Sequence, residues 1–215
     1  MDTPPCEVKF ELQGWRLFWA HLEAQPCDAA LLMAAARRVV EQVRAKLQME
    51  TLSTHPTLAA LRKLFKAAGC DPTRYRPSSE ALLRRLLKGE DMPVISPLVD
   101  LNNCLSASLA VPCCVMAGET VAPPYLFRAG KPGESYESLR GPFNLEGKPL
   151  LVDALGPCDV PITGNTRVKV TAETQRAWLV AYLPAGVVAP ESADEKLREL
   201  VAAAPAARLL LTAVS

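Results

Sequence analysis

Apolar and polar residues follow two different patterns along this chain. In much of the first half, apolar residues recur every three or four positions, as at Leu32, Val39 and Val43, with charged residues between them. This spacing is typical of amphipathic helices. In the second half, short apolar runs alternate with Pro and Gly, which is typical of short strands joined by turns. The pattern predicts an α+β fold, with a helical first half and a short-stranded sheet in the second half.

The same pattern predicts the order of the elements. In the first half they are strands at 7–13 and 15–22, a helix after an N-cap at Asp28, a helix from Pro56 that ends at Gly69, a helix capped by Ser78 or Ser79, and a helix over 97–109. In the second half they are strands at 111–116, 125–128, 150–153, 160–163, 168–171 and 178–182, a helix at 192–203 and a strand at 208–214.

The expected fourth helix has an unusual composition. Asp100 is the only charged residue between Asp91 and Glu119, and Asn102 and Asn103 follow it closely. A segment this apolar is expected to be buried, and a buried polar side chain without a partner costs about 1–3 kcal/mol. The segment is therefore either a polar lock inside the fold or the floor of a site. Helical spacing lets Ser106 share a face with either Asn.

Composition narrows the class of protein. The chain has 215 residues, a net charge of +1 and a hydrophobic fraction of 49%. We expect one domain over residues 1–215, in the cytoplasm, because no apolar run is long enough to span a bilayer and the start shows no signal peptide. Seven scattered cysteines are expected to be reduced thiols. With two histidines, no CxxC and no nucleotide-binding motif, we expect neither a metal site nor a cofactor. The oligomeric state is left open.

Positive charge is concentrated in one region. Residues 37–88 contain twelve Lys and Arg against four acidic residues. Such a region indicates an acidic partner such as RNA, or else the solvated faces of helices. The candidate RNA contacts are Arg74, Arg76, Arg84, Arg85 and Lys88.

The common catalytic motifs are missing from the sequence. It contains no GxSxG and no HExxH, and both His21 and His55 have structural explanations. The adjacent Cys113 and Cys114 are most simply packed small residues. The polar residues that could bind a ligand are Asn102, Asn103, Ser106, Cys114, Glu134, Asp153, Gly164 and Thr166.

A series of short segments resembles one known family. They are 94–103, Val111-Pro112, Leu126–Arg128, Gly133-Glu134, Leu151–Asp153 and 161–174. In order and spacing they resemble the B3/B4 module of the phenylalanyl-tRNA synthetase beta chain, and more closely the free-standing proteins built on it. The resemblance covers about 55–182. It implies a mixed α/β domain with a cleft, which in the synthetase hydrolyses tyrosine wrongly attached to the phenylalanine tRNA.

The chain departs from that family at the expected cleft. Where the synthetase has a histidine two residues after a proline, this chain has Cys114, and Ala117 replaces the Asp that usually follows. The ligase domains of the synthetase have no counterpart, so ligase activity is not expected. Three functions remain open: binding of a tRNA or aminoacyl-tRNA end, hydrolysis of mischarged aminoacyl-tRNA in trans, and binding of an amino-acid-like small molecule without RNA. The replaced histidine favours binding over catalysis.

Overall fold

The computed structural model describes residues 7–215. Within them the helices are α1 (Ala29–Lys46), α2 (Pro56–Ala68), α3 (Ser78–Leu87), α4 (Pro97–Leu109) and α5 (Pro190–Ala203). The strands are β1 (Val8–Phe10), β2 (Trp15–Ala24), β3 (Cys113–Ala117), β4 (Tyr125–Ala129), β5 (Ser135–Ser138), β6 (Gly141–Asn144), β7 (Pro149–Asp153), β8 (Gly156–Asp159), β9 (Arg176–Pro184) and β10 (Ala207–Val214). The fold is α+β, as the sequence predicts. The expectation about a signal peptide concerns residues 1–6, which lie outside the described residues, as does Cys6.

The strands form two four-stranded sheets and a hairpin. One sheet has the order β10-β2-β9-β3, and its long central pair is antiparallel, from Trp15 opposite Pro184 to Glu23 opposite Arg176. The other has the order β1-β4-β7-β8, in which β1 and β4 are parallel. The hairpin is made of β5 and β6. The structure therefore brings together strands from both ends of the chain.

Aromatic side chains join the two sheets at the centre of the core. The ring of Trp19 on β2 lies 5.1 Å from that of Tyr125 on β4, and the ring of Phe127 on β4 lies 5.8 Å from that of Tyr182 on β9. The helices pack onto the same continuous apolar cluster, to which α4 contributes Leu101 and other residues. Within residues 7–215, no helix is both long and apolar enough to cross a membrane.

Helix α4 begins and ends as the sequence predicts. Its buried Asp100 accepts a hydrogen bond from the backbone N–H of Ile95 at 2.8 Å, which ties the preceding segment to the first turn. Asp100 therefore acts as a structural anchor. Burial raises the pKa of its carboxyl group. Ala110 ends the helix in a left-handed conformation, with φ of 57°.

Three local expectations were wrong. Helix α3 begins at Ser78 itself, after Pro77, and neither serine side chain caps it. Segments 160–163 and 168–171 form isolated bridges instead of strands, because Pro161 lacks a backbone N–H and the Asn165 side chain caps a 3₁₀ turn at Thr166–Val168. The third difference is the β5–β6 hairpin, because no strand was expected between residues 128 and 150.

Candidate functional site

A cavity of about 260 Å³ opens between α4, β3, the tip of the β5–β6 hairpin and the irregular segment 159–170. We name it the α4–β3 cleft. Its lining residues are Ser78, Ile95, Val99, Asn102, Asn103, Cys113, Cys114, Val115, Leu139, Arg140, Asp159, Val160, Ile162, Thr163, Gly164, Asn165, Val168, Lys169 and Val170. It thus brings together Asn102, Asn103, Cys114 and Gly164, four of the ligand candidates from the sequence.

A larger cavity, of about 610 Å³, lies beside β9. His21 and Trp178 line it, and their rings stack with centroids 4.4 Å apart. It contains none of the ligand candidates from the sequence, whereas the smaller cleft contains four. We therefore place the candidate site in the α4–β3 cleft.

Four of the sequence candidates do not line the cleft. Ser106 is buried, and its hydroxyl donates to the carbonyl of Val111 at 2.8 Å. Thr166 lies close by, but its hydroxyl donates to the carbonyl of Glu137 at 3.0 Å. Both hydroxyls are therefore used to hold the backbone around the site.

The two carboxylate candidates, Glu134 and Asp153, are held in ion pairs. Glu134 accepts from the guanidinium of Arg128 at 2.8 Å and from the backbone N–H of Lys131 at 2.6 Å. The Arg128 guanidinium lowers the pKa of Glu134. Asp153 accepts from Arg167 at 3.0 and 3.2 Å. Neither carboxylate is placed to act in the cleft, because each is neutralised by an arginine outside it.

Sequence reasoning missed the carboxyl group that does line the cleft. Asp159, at the end of β8, is 1% exposed and accepts a hydrogen bond from the hydroxyl of Tyr182 at 2.6 Å. Burial raises its pKa to about 7, although hydrogen bonds from Tyr182 and Cys114 act in the opposite direction. The sequence does contain one indication, because Asp159 is the only charged residue between Asp153 and Arg167. A lone acid in an apolar segment is also what drew attention to Asp100.

Two polar residues near Asp159, Cys114 and Asn102, are neutral. Burial raises the pKa of the Cys114 thiol well above its ordinary value, and nearby Asp159 adds to the effect. Cys114 therefore stays protonated near pH 7 and is unsuited to act as a nucleophile. Asn102 donates weakly to the carbonyl of Cys113, at 3.4 Å. Its buried side-chain oxygen Oδ1 has no hydrogen-bond partner among residues 7–215.

The family of this chain follows from its match to a protein-family profile. The family profile described as B3/4 domain matches residues 60–202, which is more than half of the chain. The chain belongs to the B3/4 domain family. This confirms the resemblance seen in the sequence.

Among solved structures, this B3/4 domain is similar to an N-terminal fragment of the phenylalanyl-tRNA synthetase beta-subunit from Pyrococcus horikoshii. The two chains are 14% identical, with a TM-score of 0.44. The alignment covers 97% of this chain and 50% of that chain, so the present chain spans half the length of its neighbour. No curated protein matches the chain.

Two exposed cations, Arg140 and Lys169, line the cleft of this B3/4 domain near its mouth. A third, Arg76, is exposed two residues before Ser78, which also lines the cleft. None of these three side chains makes a hydrogen bond or ion pair with any residue of the range 7–215. We call them the rim cations. Only Arg76 was among the RNA candidates from the sequence.

The remaining basic candidates are placed differently. Arg84 pairs with the fully buried Glu80 at 2.9 Å, together with Arg62, so it helps to neutralise a buried carboxylate. Arg85 pairs with Glu90 at 2.8 Å at the far end of α3, where Lys88 is also exposed. Arg74 lies over the ring of Tyr75 at 5.1 Å. Part of the charge of the basic region is therefore used within the fold.

Proposed function

We propose that this B3/4 domain binds the aminoacylated 3′ end of a tRNA, with the aminoacyl group in the α4–β3 cleft and phosphates on the rim cations. One observation carries the proposal: a small cavity with buried hydrogen-bond acceptors has unpaired cations at its mouth. An aminoacyl group joined to a nucleotide has the matching arrangement, because it can carry hydrogen-bond donors at one end and anionic phosphates at the other.

The size of the cleft supports a small group. At about 260 Å³ it lies just below the range of drug-sized ligand pockets, which suits a single aminoacyl group. Asn102 and Asn103 offer amide groups that orient a ligand without acid–base chemistry. The apolar side chains of Val99, Val115 and Val170 supply the rest of the wall.

The rim supports contact with phosphates. Arg140 lies at the turn between β5 and β6, and Lys169 follows the 3₁₀ turn of Thr166–Val168, so two separate segments present cations at one opening. Phosphate contacts position a nucleic acid and do not read its sequence. We therefore expect the rim to hold the backbone of the tRNA end, while the cleft selects the aminoacyl group.

Binding is better supported than hydrolysis. The protonated thiol of Cys114 is a poor nucleophile, and the lining residues include no histidine. Hydrolysis would need a water held on the ester by Asn103 or Thr163. Hydrolysis would therefore show itself in the binding test as release of the amino acid.

The test compares a tRNA in its aminoacylated and deacylated forms, over a panel of amino acids, by fluorescence anisotropy at low salt. We expect tighter binding of at least one aminoacylated form. Replacing Arg140 and Lys169 together with Ala should weaken its binding by about tenfold, since each phosphate contact contributes through released counterions. Replacing Arg85 and Lys88 together with Ala is the matched control, because it removes the same charge at the far end of α3.

Each alternative has its own signature in this experiment. Equal affinity for charged and uncharged tRNA would exclude entry of the aminoacyl group into the cleft. A loss of affinity in the control pair and none in the rim pair would move the RNA contact to α3. Release of the amino acid during incubation, faster than in buffer, would identify a hydrolase.

A further inference from the structure

We propose that the deep end of the α4–β3 cleft is a subsite for an ammonium group, formed by Asp159 and Asn102. The cleft would then take an aminoacyl group whose aliphatic side chain ends in an amine, as in lysine or ornithine. This inference rests on the proposed function, since it specifies which aminoacyl group enters the cleft.

The first support is a buried hydrogen-bond acceptor without a donor, in a cleft that also holds a buried carboxyl group. Asp159 is 1% exposed and Asn102 is 6% exposed, and both line the cleft. The Asn102 Oδ1 atom has no partner within residues 7–215, and the Tyr182 hydroxyl donates to Oδ2 of Asp159. A buried acceptor without a donor is costly, so a ligand that supplies donors is favoured. An ammonium group carries three donors and no acceptor.

The second support is the character of the walls. Most of the lining side chains that are not polar are aliphatic: Ile95, Val99, Val115, Leu139, Val160, Ile162, Val168 and Val170. The methylene stem of a lysine side chain can pack against aliphatic surface while its charged head reaches a polar partner. An aliphatic wall together with one buried carboxyl group fits this shape better than it fits an aromatic or an acidic side chain.

The third support is the distribution of charge. Among the described residues that line the cleft, Asp159 is the one acid, and it lies at the buried end, whereas Arg140 and Lys169 are exposed. A ligand that is positive at one end and carries phosphate at the other matches this order. A side-chain carboxylate would meet Asp159 and be repelled.

Binding of an ammonium group should be coupled to the protonation state of Asp159. The groups that influence Asp159 from neighbouring strands are Tyr182 on β9, Cys114 on β3, Cys158 on β8 and Tyr136 on β5. The pKa of each of these four groups is raised, so they stay uncharged between pH 6 and 8. Asp159 is then the group that titrates there. Binding of an ammonium group favours the carboxylate, so affinity should rise with pH over this range.

The test uses two stable analogues of a tRNA 3′ end, in which lysine or norleucine is attached by an amide to the terminal adenosine. Norleucine keeps the side-chain stem and lacks the ammonium group. At pH 8 we expect the lysyl analogue to bind about tenfold more tightly than the norleucyl one, as a charge-assisted hydrogen bond provides. The preference should shrink at pH 6. In Asp159→Asn the preference should disappear.

Controls make the result decisive. Glu146→Gln makes the same chemical change at an exposed position and should keep the preference. If Asp159→Asn does not fold, Asn102→Leu removes the unpaired acceptor and should reduce the preference. Equal binding of both analogues by the unaltered protein would overturn the ammonium subsite and leave the proposed function standing. If neither analogue binds, the subsite is overturned, and the panel of aminoacylated tRNAs decides the proposed function. A preference that persists in both Asp159→Asn and Asn102→Leu would also overturn the subsite.

Discussion

At the scale of single residues, two acids with the same sequence signature have different roles. Asp100 and Asp159 each stand alone in an apolar segment, and each is buried. The carboxylate of Asp100 is used by the backbone N–H of Ile95, five residues away. Asp159 instead meets the hydroxyl of Tyr182, from another strand, and lines the cleft. The first role is local and the second depends on distant parts of the chain.

The raised pKa of Asp159 predicts how stability depends on pH. The carboxyl titrates near its ordinary value of 3.8 when the chain is unfolded and at about 7 when it is folded. Its contribution to stability is therefore fully present below about pH 4 and is lost as the pH rises through 7. Between pH 5 and 8, we expect the unfolding free energy of the unaltered protein to fall by about 2 to 3 kcal/mol relative to Asp159→Asn.

Urea unfolding of both proteins at several pH values measures this difference. Glu146→Gln serves as the reference, since it makes the same chemical change at an exposed position. A gap between the unaltered protein and Asp159→Asn that is constant with pH would contradict a folded-state pKa near 7.

At the scale of elements, the wall of the cleft depends on how the β5–β6 hairpin is attached. The hydroxyl of Tyr136 donates to the carbonyl of Thr163 at 2.6 Å, and the N–H of Leu139 donates to the carbonyl of Gly164 at 3.1 Å. These bonds connect the hairpin to segment 159–170, which carries Asp159 and Lys169. The two irregular pieces therefore support each other, and the cleft should be sensitive to any change that moves the hairpin.

Gly130 tests how closely the backbone packs at the base of the hairpin. A Cβ atom at Gly130 would lie 1.9 Å from the carbonyl oxygen of Leu145, just after the hairpin, so alanine requires the backbone to move. We expect Gly130→Ala to lower the unfolding free energy by about 3 kcal/mol or more, as overpacking at backbone does. Gly133→Ala is the matched control: its φ is +76° but the space around it is open, which predicts a loss of about 1 kcal/mol.

Thermal and urea unfolding of the two variants provide the comparison. Equal losses of stability in Gly130→Ala and Gly133→Ala would contradict the close backbone contact at Gly130.

At the scale of the whole molecule, the net charge is +1, and four of the twelve basic residues of region 37–88 bond within the fold. Arg62 and Arg84 neutralise the buried Glu80, and Arg44 donates to the backbone carbonyls of Leu86 and Glu90. The proposed function uses the three rim cations, so the tRNA end would be held by few charges.

The salt dependence of binding should reflect this. With three rim cations on single-stranded phosphates, the slope of log K against log salt concentration should be about −2. Lys169→Ala should reduce its size by about 0.7, because one released counterion is lost. The measurement is tRNA affinity at salt concentrations from about 50 to about 200 mM, a range over which such slopes can be distinguished. Arg85→Ala should leave the slope unchanged, and a slope of about −5 would require a wider basic surface.

The sequence by itself determined the α+β class, the position of α4 and the family, and it selected Asn102, Asn103, Cys114 and Gly164 for the cleft. These features depend on periodicity, helix caps and turn residues, which act between neighbours in the chain. The sequence could not assign Glu134 and Asp153, because their arginine partners lie 6 and 14 residues away in the chain and their pairing depends on the folded sheet.

Only the tertiary structure decided which polar groups meet at the cleft. Asn102, Asp159 and Tyr182 come from α4, β8 and β9, and they converge because the strand order places the end of the chain beside its middle. The rim cations likewise come together only in the folded protein. Arg140 and Lys169 lie in two irregular segments, where no periodicity predicts which way a side chain points. Local patterns encode elements, whereas the contacts between elements carry the chemistry of this site.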